Sequence, residues 1–208
     1  QPDGTAHGCW HYAAGLFAGN GAHRFWHGTG PMFSTRTTIE LGHNLTLRSR
    51  PVHAVVGGSF PVRQAKDLPF GTSGAAATRA ALQHFYGTVR RWGLEAALNW
   101  SAWSLVSEYP RADFLFRDAG QARITAAGYY VQLARFLTPK WQLALKWGTF
   151  DPNRSLINDR DLRGFTIGLN CYIRADRIKL MANYILRRER VYERPNDLFE
   201  IQFQWFFV

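Results

Sequence analysis

The chain has 208 residues, 46% of them hydrophobic and 15% aromatic, with 25 Lys and Arg against 15 Asp and Glu for a net charge of +10. So much aromatic surface excludes a chain that stays unfolded, no stretch approaches the roughly 18 uncharged apolar residues that a membrane-spanning helix needs, and two cysteines are too few for a disulfide framework. The basic excess, mostly Arg, reads first as a footprint for polyanions, but the chain carries no zinc-finger spacing, no aromatic RNA-binding motif, and one dense basic run, Arg187, Arg188 and Arg190.

In chain order, strands are predicted near 8–19, 32–49 and 53–62, with Asn44 inside the second and Gly57, Gly58 and Pro61 weakening the third. The segment from Arg63 to His84 reads as a long loop whose Ala-rich stretch 75–82 favours a helix. It lies outside the wall or folds inward to put Arg79 in a path. From residue 85 on, apolar and polar residues alternate with period two, which sends each set to its own face of a strand. Leu94, Ala96, Leu98 and Trp100 oppose Glu95, Ala97 and Asn99 in a strand at 85–100. Strands at 102–115, 124–138, 140–151, 163–174 and 177–190 follow the same rule. The last, 197–208, sets Phe199, Ile201, Phe203 and Trp205 against Glu200, Gln202 and Gln204.

Alternation alone does not distinguish a soluble sandwich from a membrane barrel. Trp and Tyr bracket the apolar faces as interfacial girdles do, and the opposite faces carry Lys, Glu, Gln and Asn that a dry core would not accept unpaired. Short links alternate with long ones, as periplasmic turns alternate with extracellular loops. The expectation is a single all-β domain over 1–208, a transmembrane antiparallel β-barrel of about ten strands in a bacterial outer membrane. Arg135 falls on the apolar parity near a short turn, where a long side chain can snorkel.

The segments Gly93 to Leu98 (GLEAAL), Ser104 to Tyr109 (SLVSEY), Gly128 to Gln132 (GYYVQ) with Leu137 and Thr138, Gly168 to Tyr172 (GLNCY), Met181 to Tyr184 (MANY) and Glu200 to Phe207 (EIQFQWFF) run in an order that resembles the phosphate-selective porin O and P family over roughly residues 90–208. The resemblance implies a porin fold and uptake of anions such as phosphate. It also implies sixteen strands and nearly twice this length, so the chain is expected to be a shortened relative or the C-terminal part of a larger barrel.

If the apolar faces meet lipid, Arg36, Lys146, Lys179 and Arg187 point inward together with Glu40, Glu95, Glu108 and Glu200. Inward cations concentrate anions. The same eight residues in a narrow barrel instead form a buried ion-pair network, which gives the alternative of a plugged barrel that serves as a structural or docking component. His7 and His11, and His23 and His27, have i, i+4 spacing, but on a strand such residues stand about 13 Å apart, so no metal site and no cofactor are expected. Cys9 and Cys171 fall on opposite faces and are not expected to pair. His43, His53 and Ser49 do not amount to an activated nucleophile, and no catalysis is expected. Expected partners are outer-membrane lipid and lipopolysaccharide, small anions and further copies or components of an outer-membrane complex, and not nucleic acid.

Overall fold

Among the described residues eleven strands form in chain order: β1 (Cys9–Phe17), β2 (Thr29–Leu41), β3 (Thr46–Leu47), β4 (Arg50–Pro69), β5 (His84–Trp100), β6 (Trp103–Phe116), β7 (Ile124–Phe136), β8 (Trp141–Asp151), β9 (Leu162–Arg174), β10 (Ile178–Glu189) and β11 (Leu198–Trp205). The structure, a computed structural model, describes residues 9–17, 29–41, 46–47, 50–69, 84–117, 123–157, 161–174, 177–191 and 195–206. All pairings are antiparallel, and the sheet runs β1-β2-β4-β5-β6-β7-β8-β9-β10-β11, with β3 paired to β4 alone. No helix among the described residues is long and apolar enough to cross a membrane.

Ten strands lie on this path, as the alternation predicts, but two boundaries differ. The segment expected as one strand at 32–49 is divided, because Thr46 and Leu47 turn back onto Pro51 and Arg50. The third strand is much longer than 53–62. Arg63 pairs with Val89 and Ala65 with Gly87, so the supposed loop start is wall. Pro61 conceals this in the sequence, since Pro is a poor ladder member.

The registers keep the apolar residues of neighbouring strands on one face. Trp141, Leu143, Leu145 and Trp147 lie opposite Cys171, Leu169, Ile167 and Phe165, and these lie opposite Leu180, Ala182, Tyr184 and Leu186. This face is exposed: Leu94 is 57%, Ile201 63% and Trp10 68% accessible. A sandwich would bury it under a second sheet. An apolar surface that crosses ten strands is far beyond the few hundred Å² a water-soluble protein leaves bare, and it calls for an apolar solvent. On β5 the outward rings Trp92 and Trp100 stand eight residues apart, roughly 26 Å at about 3.3 Å per residue, the height of a barrel's apolar band. Arg135 sits opposite Trp103 with its guanidinium carbon 4.9 Å from the ring centre, so this outward cation is stacked on an interfacial ring.

Close approaches at its glycines mark the other face as the inner side of the sheet's curl. A Cβ added at Gly148 would come within 2.8 Å of the Tyr129 carbonyl oxygen and of the Tyr130 Cβ, and one at Gly128 within 2.7 Å of the Thr149 carbonyl oxygen. Both glycines belong to the polar face, where Gly148 pairs with Tyr130 and Gly164. Glycines that let the backbone close in on one side are the means by which a sheet is curled toward that side. Among the described residues β1 pairs only with β2 and β11 only with β10, so the curled sheet has two unjoined edges.

The small buried core lies where the strands outrun the apolar band. Ala65, Phe85 and Val89 pack with Phe114 and Phe116 on the polar face, three or more residues beyond the level of Trp92. Across the wall there, Asp113 accepts from Arg123 at 2.7 Å, Thr125 at 2.8 Å and Arg111 at 3.3 Å. Burial alone would raise its pKa, but these three donors together hold it below the ordinary carboxylate value. A depressed folded value adds stability above the unfolded pKa of about 3.9, and this is lost as pH falls through the folded value. Asp113→Asn is expected to weaken the β6–β7 end by about 2 kcal/mol at neutral pH, the usual scale for bonds to a charged group. Amide exchange of residues 111–127 checks this: protection lost on acidification in the parent should be missing at all pH values in the variant.

Candidate functional polar face

The period-two pattern delivers one residue in two to the concave face, and the registers set these side by side. Arg36 lies opposite Ser59, and Gly57 lies opposite Glu95. The glycine is needed there, since a Cβ at Gly57 would stand 2.6 Å from Glu95 Oε1. Through that gap Arg36 Nη2 reaches Glu95 Oε1 at 2.6 Å. Glu95 stands opposite Glu108, and Glu108 opposite Tyr130, whose hydroxyl hydrogen-bonds it. Lys146 follows, with Nζ 3.9 Å above the Tyr130 ring. On β8 and β9, Gln142 Oε1 accepts from Asn170 at 3.0 Å and from the Tyr172 hydroxyl at 2.9 Å. Lys179 Nζ lies 5.9 Å from the Tyr172 ring, and Asn183 donates to Glu200 at 2.9 Å.

All eight expected charged residues are therefore on one face: Arg36, Lys146, Lys179 and Arg187 with Glu40, Glu95, Glu108 and Glu200. They do not form a closed network. Among the described residues, Arg36 to Glu95 is the one ion pair within the set, and those side chains are 60% and 33% accessible. An exposed pair of this kind contributes about 0–1 kcal/mol. Arg79, with the Ala-rich stretch 75–82, lies outside the described residues, as do His7, His23, His27, His43 and Ser49.

Three further features of this face concern how its charges are placed. Arg63 and Arg91 share it beyond the level of Trp92. The Arg63 Nε is buried without a hydrogen-bond partner, and burial together with the Arg91 charge lowers the guanidinium's affinity for its proton. Two cations so placed favour a shared anion. The parity of a single strand is enough to find Arg91, but Arg63 lies past the predicted end of its strand. The third feature is Glu40, which has His11 Nε2 at 3.6 Å from one oxygen and His53 Nε2 at 3.7 Å from the other. The three come from separate strands, and only a register brings them together. The histidines reach different oxygens, and no group of three potential ligands among the described residues is arranged around one metal position. Cys9 is on the polar face opposite Glu40 and Cys171 is on the apolar face. Both are free thiols.

Comparison with known proteins gives one match. The model of a family described as phosphate-selective porin O and P matches residues 71–207. No curated protein and no solved structure matches the chain.

Proposed function

The chain belongs to the phosphate-selective porin O and P family, and on that footing we propose that it is a passive, anion-preferring diffusion channel of the bacterial outer membrane. The observation that carries this reading is the division of the sheet into an exposed apolar face and a polar face on which the backbone closes in at Gly128 and Gly148. On the polar face Lys146, Lys179 and Arg187 have no carboxylate in salt-bridge reach among the described residues. Lipid contacts the first face and water fills the space behind the second. Arg63 and Arg91 collect anions at the end of the passage beyond Trp92. Lys146, Lys179 and Arg187 then lower the electrostatic cost of passage, as charged rings do in pores. No covalent step is involved: the wall replaces part of the anion's hydration, holds it weakly and releases it.

Conductance of the full chain in a planar bilayer tests this. Single-channel steps are expected, with a reversal potential under a tenfold KCl gradient that marks chloride as the more permeant ion. No steps would remove the channel, and cation preference would remove the anion assignment. The alternative of a plugged docking barrel draws on the Phe85, Phe114 and Phe116 knot, whose ring centres stand 4.9 and 5.6 Å from Phe85. It is the reading that remains if no steps are seen.

A further inference from the structure

On the apolar face, β8, β9 and β10 end in successive rows of side chains. In the first row Trp147 lies opposite Phe165, and Phe165 opposite Leu186. In the next, Thr149 lies opposite Arg163, and Arg163 opposite Arg188. Asp151, Asp161 and Arg190 lie beyond, where the Arg190 amide donates to the Asp161 carbonyl. The Arg row stands two residues past the apolar row, about 7 Å along the strands, at the end that carries the long links 152–161 and 190–197. For a lipid whose chains cover Trp147, Phe165 and Leu186, that is the depth of the headgroup. Between the two rows lies an open cleft of about 320 Å³, lined by Trp147, Arg163, Gly164, Phe165, Leu186 and Arg188. It is apolar on one side and cationic on the other, and no carboxylate lines it.

Like charges directly opposite each other destabilise a strand pair, and an anion held by both removes that cost. The nearby carboxylates do not supply it. Asp151 accepts from the Asn153 amide at 2.9 Å, Asp161 is buried 3.9 Å from Arg190, and Asp197 takes Arg188 at 3.1 Å and the Arg187 amide at 3.0 Å. Arg163 has no carboxylate in salt-bridge reach among the described residues. These three Asp balance Arg163, Arg188 and Arg190, so the patch attracts by contact and not by a long-range field. We propose that the cleft holds the phosphate of a membrane lipid of the lipopolysaccharide class, with Arg163 and Arg188 on the phosphate oxygens and an acyl chain along Trp147, Phe165 and Leu186. A phosphate monoester carries about −1.5 to −2 at neutral pH and has oxygens enough for two guanidinium groups. A zwitterionic phosphodiester offers fewer oxygens and brings its own ammonium toward Arg163. The proposal rests on the apolar face meeting lipid and not on conduction.

Native mass spectrometry of the full chain in detergent tests it with two probes, lipid A bearing its phosphates and lipid A from which they have been removed. The parent is expected to hold the first about tenfold more tightly, the scale of one hydrogen bond between charged groups. Arg163→Gln should bring the two probes level, and so should Arg163→Gln combined with Arg188→Gln. Arg90→Gln should keep the preference: Arg90 is exposed two residues past Trp92 on β5, four strands from β9. A compact band in an unheated gel shows that each variant is folded, and the single Arg163 variant decides if the double one loses that band with the Asp197 pair. Equal retention of both probes by the parent, a preference that survives Arg163→Gln, or one lost equally in Arg90→Gln would overturn the site and leave the conductance reading standing. Retention of neither probe would overturn the lipid-facing assignment as well.

Discussion

Changing Lys146 and Arg187 together to Glu is expected to turn an anion-preferring conductance into a cation-preferring one. Both residues lie on the concave polar face, and neither has a carboxylate partner among the described residues, so their charge acts on the passage and is not spent on a neighbour. The double reversal alters the wall by four unit charges. At about 10 Å in water each contributes about 0.4 kcal/mol, which for four charges amounts to roughly a fifteenfold change in the permeability of each ion at low salt, downward for the anion and upward for the cation. Screening shrinks this as ionic strength rises, since the Debye length falls from about 30 Å at 0.01 M to about 10 Å at 0.1 M. The reversal potential should therefore change sign at low salt and approach zero at high salt. The single change Arg36→Glu should do less, because Arg36 is tied to Glu95.

The second large effect concerns the curl. Gly148→Val is expected to prevent the compact form or to destabilise it by about 3 kcal/mol, the upper part of the usual range for an overpacked site. The added carbon meets the Tyr129 carbonyl and the Tyr130 Cβ at 2.8 Å, and one neighbour is backbone that cannot step aside. Gly58→Val is the matched control. Gly58 is on the apolar face opposite Leu94, and its nearest neighbours for a Cβ are at 3.5 and 3.8 Å, ordinary contacts. Val at that position should leave stability unchanged or raise it slightly, since Gly costs about 0.5–1 kcal/mol in a strand. Gel mobility of unheated and heated samples in detergent separates the cases: the Gly58 variant should keep the compact band and the Gly148 variant should lose it. If both behave alike, the concave side has been assigned wrongly.

Much of this architecture is legible in the amino-acid sequence alone. From β5 to β11 the period-two pattern is clean because each strand meets an apolar medium on one side and a polar one on the other. A run such as Phe199, Ile201, Phe203 and Trp205 therefore announces its face directly. Parity also places all eight charged residues on one side. Upstream the signal is weaker for a physical reason. Gly57 and Pro61 look like breakers, yet Gly57 is the space through which Arg36 meets Glu95, and Pro61 takes its place opposite Ser34. Residues dictated by close approach do not alternate in hydrophobicity, so β4 reads in sequence as ending near residue 62 and Arg63 as loop. Pairings such as Glu40 with His11 and His53 are illegible there because register is a property of two strands and not of one.

On the proposed reading neighbouring residues of one strand face water and lipid in turn, and Gln132 with Leu133 offers the sharpest check. Gln132 lies opposite Val106 and Lys146 on the polar face, and Leu133 lies opposite Leu105 and Leu145 on the apolar face. In a background with Cys9 and Cys171 replaced by Ser, each is changed singly to Cys in lipid-reconstituted protein, and the labelling rate with a charged, membrane-impermeant thiol reagent is measured. Rapid labelling is expected at 132, with a fall in conductance as the reagent adds, and protection at 133. Equal rates, or faster labelling at 133, would show that the two faces do not meet water and lipid as assigned.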